Sequence, residues 1–192
     1  MASTKQFTLF GLHDLHVKLP ADLNTAWVQM VGASDAAYKG EVSEVEQLGD
    51  DQRLGVFFHT QKGTITAKCS IETVAALEKL SGVSASISAV GTGPNNSGQS
   101  VDALDIQNLS ELLPPYVTVR ASVKGRKTDG TAGYMYMYWF KCLCKTVWEA
   151  SAGGSYGKIT EPALTIETFS SAFNEMNVAL TNGNAFGRVE YP

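Results

Sequence analysis

Catalysis or metal binding in this chain would have to come from a few side chains. His13 and His16 stand three apart and His59 lies alone in an apolar run, with no carboxylate or cysteine spaced to converge on them. Zinc takes three or four converging ligands, so the histidines define no metal site. Cys142-x-Cys144 is not the paired C-x-x-C pattern, and two cysteines two apart on one strand face are poorly placed for a mutual disulfide. With Cys69 they read as reduced thiols acting as small hydrophobes, in a protein made in a cytoplasm. Glu41, Glu44, Glu46, Asp50 and Asp51 include pairs of the kind that hydrolyse glycosides. A solvated or partner-facing acidic hairpin accounts for them more simply. Gly-x-Ser-x-Gly, a phosphate loop and a dinucleotide fingerprint are missing, and Gly91-Thr92-Gly93 runs into Pro94 within a polar loop. The reading is not an enzyme, with no catalytic residue, no metal and no cofactor.

Charge is more informative than motif. Residues 41–53 hold five acids and one base, Arg53, whereas residues 117–148 hold six bases (Arg120, Lys124, Arg126, Lys127, Lys141, Lys145) and one acid, Asp129. Head-to-tail self-association uses such asymmetry, one copy's patch meeting another's. Two patches adjacent within one monomer would look the same in sequence. The 192 residues carry 18% charged side chains, below the usual value of about 25%. Part of the surface is therefore expected to be covered by partners. A net charge of -4 argues against a protein that binds nucleic acid by neutralising phosphates. Neither a signal peptide nor a membrane-spanning run is visible, so no membrane partner is expected.

The frame that must position these groups is mostly extended, in one domain spanning residues 1–192. Residues 134–148, YMYMYWFKCLCKTVW, are too aromatic and β-branched for a helix. With period two, one face carries Tyr134, Tyr136, Tyr138, Phe140, Cys142, Cys144, Thr146 and Trp148, and the other Met135, Met137, Trp139, Lys141, Leu143, Lys145 and Val147. At roughly 3.3 Å per residue such a strand runs on the order of 50 Å. Residues 116–124 alternate cleanly, and Asp129-Gly130 should join the two strands as an antiparallel hairpin. Further strands are expected over residues 6–19 (broken at Gly11), 38–48, 54–59, 63–69 and 162–170. Residues 41–56 form an acidic hairpin turning at Gly49-Asp50-Asp51-Gln52, and residues 91–100 a loop. Residues 23–31 fit a short helix or a strand equally. Ile71, Val74, Ala75, Leu77 and Leu80 follow helical spacing, with Ser70 as N-cap and Gly82 as stop. The fold class is mainly β: an antiparallel β-sandwich or half-barrel with one flanking amphipathic helix.

The order of these features resembles the major tail tube proteins of long-tailed bacteriophages over roughly residues 35–175. The motifs in sequence are the acidic hairpin Glu46-Gln47-Leu48-Gly49-Asp50-Asp51, a Thr/Ile strand (Gly63-Thr64-Ile65-Thr66) running into the helix, Pro114-Pro115-Tyr116, the long aromatic strand, and Ala163-Leu164-Thr165-Ile166-Glu167. The resemblance implies a virion structural protein, assembled in the host cytoplasm, whose copies join sheets into a shared β-barrel. Hexameric rings of this kind stack into a tube through which DNA passes without specific binding. Its implied partners are other copies of itself and the tape measure, tail tip and terminator proteins. By analogy the hairpin at Gly49–Arg53 would contact the next ring, with Arg120, Lys124, Lys141 and Lys145 as acceptors for Glu44, Glu46, Asp50 and Asp51. Tyr136, Tyr138, Trp139, Phe140 and Trp148 would build the core and subunit seam. Tube subunits of contractile tails and of type VI secretion share this architecture. The alternative from another class is a monomeric β-sandwich binding sugars on an open face with Trp139, Trp148 and the tyrosines.

Overall fold

Valine, threonine, isoleucine and tyrosine recur between turn residues along most of the chain, and these segments pair as antiparallel strands. A computed structural model describes residues 7–31, 33–49, 52–69, 74–83, 86–88, 101–103, 114–127, 129–145, 163–181 and 183–190. In chain order the elements are β1 (Phe7–Lys18), β2 (Val28–Met30), β3 (Ala33–Gly49), β4 (Gln52–Cys69), α1 (Val74–Ser81), β5 (Ser86–Ser88), β6 (Val101–Ala103), β7 (Val117–Lys127), β8 (Ala132–Cys144), β9 (Ala163–Phe169) and β10 (Gly187–Glu190). Eight strands form one antiparallel sheet in the order β2-β1-β7-β8-β9-β4-β3, with β10 also pairing to β8. The short strands β5 and β6 make a separate ribbon around the expected 91–100 loop, which lies outside the described residues. The sheet curls until β3, at its far edge, lies against β1, but it does not close. This is the expected mainly-β half-barrel with one helix.

The core lies between the concave sheet face and α1. Leu15, Val17, Val117, Val119, Ala121 and Ile166 are fully buried there, and Ala76 and Leu80 bring the apolar stripe of the helix onto them. The helix stops as expected: Gly82 takes φ 77°, and its N–H donates to the Glu78 carbonyl at 2.9 Å. Ser70, the expected N-cap, lies outside the described residues. Of the ambiguous 23–31 segment only Val28–Met30 is strand, the edge strand β2, paired through Leu15↔Met30.

The β7–β8 hairpin forms at Asp129-Gly130. Asp129 Oδ1 accepts from the Thr131 N–H at 2.9 Å and from its hydroxyl at 2.6 Å, and Gly130 takes φ 82°. Inside β8 the expected period-two faces fail. The register passes from Val119↔Trp139 to Val117↔Cys142, so Phe140 and Lys141 together oppose Thr118. This β-bulge flips the alternation. Trp139 reaches the core from one side of it and Cys142 and Cys144 from the other, whereas period two would separate them. The bulge is held by remote groups: the Thr118 hydroxyl donates to the Phe140 carbonyl at 3.1 Å, and the Phe140 N–H donates to the Phe186 carbonyl at 3.0 Å.

Two further expectations are corrected. The separate strands at 54–59 and 63–69 are one strand, β4, whose pairing with β3 shifts between Glu41↔Lys62 and Val42↔Thr60. Strand β1 likewise runs through Gly11, absorbing irregularity as register shifts with β7 around Leu12. A bulge lets a strand continue where sequence punctuation reads as a break.

Candidate functional site

Among the described residues, an arm, a polar sheet face and open clefts outside the core have the geometry to engage something else. The arm is the distal part of the β3–β4 hairpin. Strand β9 pairs β4 only over Gly63–Lys68. From Glu41↔Lys62 to Gly49↔Gln52, β3 and β4 pair with each other and, among the described residues, with no other strand. Nine residues at about 3.4 Å each make a ribbon about 30 Å long. Glu44, Glu46 and Arg53 lie on it, while the turn residues Asp50 and Asp51 fall outside the described residues. The root of the arm pairs Gly40 with Gly63. The Tyr38 ring occupies the space a Cβ on Gly63 would take, with its Cε2 and Oη 2.6 Å from that position, and packs on Trp139 with centroids 5.3 Å apart.

The polar face is the side of β1, β7 and β8 turned away from the core. Cross-strand register aligns His16 with Arg120 and Arg120 with Tyr138, then Asp14 with Ser122 and Ser122 with Tyr136, then Lys124 with Tyr134. Trp27, just before β2, covers part of this face. The Arg120 guanidinium lies 4.7 Å from the Trp27 ring centroid and 5.7 Å from that of Tyr136, while Lys18 Nζ lies 5.4 Å from Trp27. Buried Lys18 also donates to the Asp22 carbonyl at 3.2 Å. Burial, reinforced by Arg120 and opposed by Asp14, holds the His16 imidazole below its ordinary pKa. Two buried nitrogens here, His16 Nδ1 and Arg120 Nε, lack hydrogen-bond partners.

The basic residues expected to act together are split up by tertiary contacts. Lys145 Nζ lies 3.2 Å from Glu167 Oε2, and Lys62 Nζ lies 3.4 Å from Oε1 of the same carboxylate. Burial pushes Glu167 up, but the two lysines outweigh it and hold its pKa below the usual range. Lys141 Nζ sits 4.3 Å from the Tyr116 ring centroid. Arg120 is wedged in the aromatic stack, and Lys124 is exposed beside Tyr134. Of the expected core and seam residues, Trp139 and Phe140 are buried, Tyr136 and Tyr138 are half-buried on the polar face, and Trp148 lies outside the described residues. Trp27 and Arg188 were missed. Arg188 bonds buried Glu175, approaches Glu190 at 3.2 Å and lies over Tyr138. No local signal marks it, because its partner Glu175 is brought to it by the fold-back of residues 170–190.

Among the described residues, one open cleft of about 380 Å³ is lined by Pro20, Tyr116, Phe140, Lys141 and Phe173, and another of about 210 Å³ by Tyr38, Tyr138, Phe186 and Arg188. No group of three or more potential metal-ligating side chains occurs among the described residues. Among those residues, too, no helix is long and apolar enough to cross a membrane. No protein-family model matches the chain, and no curated protein matches it.

Proposed function

We propose that this chain is a structural subunit that works by self-assembly, as the major tail tube protein of a long-tailed bacteriophage, and is not an enzyme. Copies join into rings, six to a ring on the resemblance, and the rings stack around a channel that DNA passes through without specific binding. Its place is the virion tail, with the tape measure, tail tip and terminator proteins as further partners and no membrane. The observation that carries this reading is the β3–β4 arm. A two-stranded ribbon is marginally stable alone and leaves backbone donors and acceptors along both edges. A neighbouring copy that covers the arm removes both problems. The open half-barrel and the low charged fraction of 18% support the same reading.

Tube subunits of contractile tails and of type VI secretion share this proposal. The sugar-binding alternative loses its principal aromatic, since Trp139 is 5% exposed and belongs to the core. Size-exclusion chromatography and negative-stain microscopy of the purified chain test the proposal. Rings or tubes are expected. A monodisperse species of 20.6 kDa at every concentration tried would overturn it. Charge reversal at Asp50 and Asp51 is expected to abolish long tubes, and tubes of normal length would remove the hairpin turn from the ring-to-ring contact.

A further inference from the structure

We infer that the segment joining β1 to β2, residues 19–27, is an acid-sensitive strap: protonation of His16 loosens it, lifting Trp27 off Arg120 and uncovering Arg120, Tyr136 and Tyr138. The inference stands apart from the self-assembly reading, because every group it uses lies within one copy. Strand register fixes His16 opposite Arg120 of β7 on one side and Gln29 of β2 on the other. Trp27, two residues before Gln29, folds over the Arg120 guanidinium at 4.7 Å and lies 6.2 Å from the Tyr138 ring, with Lys18 Nζ 5.4 Å away. Asp22 anchors the other end. Its Oδ2 accepts from the Leu19 N–H at 3.2 Å and pairs with Lys79 of α1 at 2.7 Å. Residues 23–26 between these anchors are exposed, and β2 adds three residues of edge pairing.

A proton on His16 has no acceptor waiting for it. The imidazolium donates from both ring nitrogens, and Nδ1 is buried without a hydrogen-bond partner. The facing charges add to the cost. Arg120 Nε is likewise buried and unpartnered, and Lys18 lies on the same face of β1 as His16. Asp14, two residues back on that face, already accepts from Gln29 Nε2 at 2.8 Å and from the Ser122 hydroxyl at 3.4 Å. From β8 the face receives the phenols Tyr136 and Tyr138, and beside them β10 brings Arg188 and Glu190, which pair with each other at 3.2 Å. A second cation beside Arg120 therefore costs more with the strap down than with it raised, where water reaches the imidazole. Burial first and Arg120 second hold the closed imidazole below its ordinary value of 6.5, with Asp14 opposing them. The open form takes its proton near 6.5, so the closed form keeps its full advantage above pH 6.5 and loses it as pH falls below. Between about pH 7.5 and about pH 5 the opening equilibrium should rise by up to about thirtyfold, the factor that 6.5 minus 5 allows.

Hydrogen exchange of the full chain, read by mass spectrometry at those two pH values and corrected for intrinsic exchange rates, tests this. In wild type, protection of the peptide covering β2 should fall by up to about thirtyfold on acidification, while β7 and β8 keep theirs. His16→Gln cannot titrate and should hold the same protection at both pH values. Trp27→Ala should leave β2 poorly protected at both. In parallel, NMR titration of the wild-type imidazole should show His16 protonating at lower pH in the native chain than in urea. An equal acid loss in His16→Gln, an equal loss across β7 and β8, or wild-type protection of β2 in Trp27→Ala would overturn the inference. A native His16 that titrates as it does in urea would overturn it too, whether or not the variants fold.

Discussion

Replacing Gly63 with alanine probes the root of the arm directly. The added Cβ would lie 2.6 Å from Tyr38 Cε2 and Oη and 2.7 Å from Thr168 Oγ1, where ordinary contact begins at 3.4 Å. The Tyr38 ring must retreat by nearly an ångström, which lifts it off Trp139. An aromatic pair contributes about 0.5–1.5 kcal/mol beyond its buried area. Uncovering on the order of 50 Å² of ring surface adds about 1.2 kcal/mol at about 25 cal/mol per Å². Against this, alanine gains about 0.5–1 kcal/mol over glycine within a strand. The net expectation is a destabilisation of about 1–2 kcal/mol, read as a lower urea midpoint at unchanged slope. In a Tyr38→Ala/Thr168→Ala background both obstructing groups are gone, so the same Gly63→Ala change should become neutral or stabilising. An equal cost in both backgrounds would refute the reasoning, because the backbone rather than the packed ring would then be responsible.

Further predictions rest on buried polar groups and thiols. Thr168 is fully buried and its hydroxyl has no hydrogen-bond partner, so Thr168→Val should stabilise the fold by about 1 kcal/mol in urea titration. Arg188→Met strands the buried Glu175 carboxylate and should cost about 2–4 kcal/mol, with part recovered in the Glu175→Gln/Arg188→Met double variant. The folded His16 resists protonation, whereas the unfolded imidazole takes its proton near its ordinary value of 6.5. Its contribution is therefore complete above pH 6.5 and is lost as pH falls through 6.5 toward the lower folded value, and thermal melts of His16→Gln should show a shallower loss. Burial pushes the Cys142 thiol far up and Cys144 is also buried, so native labelling of both should be about a hundredfold slower than in denaturant, as measured by peptide mapping.

The features legible in the chain are those whose causes lie within a few residues. Asp129-Gly130 specifies its turn because the aspartate bonds Thr131 and the glycine takes the positive φ. The alternation of residues 117–124 specifies a strand with a valine-rich core face, and Gly82 ends the helix that the spacing of Val74, Leu77 and Leu80 predicts. The acidic hairpin is legible for the same reason, a turn between two extended runs. The bulge at Phe140–Lys141 is not, because the Thr118 hydroxyl and Phe186 carbonyl that stabilise it come from remote strands. The bulge alone decides that Trp139 and Cys142 share the core, which no period-two reading of residues 134–148 yields.

Charge divides in the same way. How much of each sign the two segments carry is a matter of composition and is read directly from the residues. Tertiary structure decided which charges are committed, because an ion pair such as Lys145–Glu167 depends on β8 and β9 being neighbours, and strand adjacency is a property of the whole sheet. Likewise the run of strand-forming residues around the acidic turn announced a hairpin. That its outer part stands beyond β9 as an arm follows only from where β9 ends.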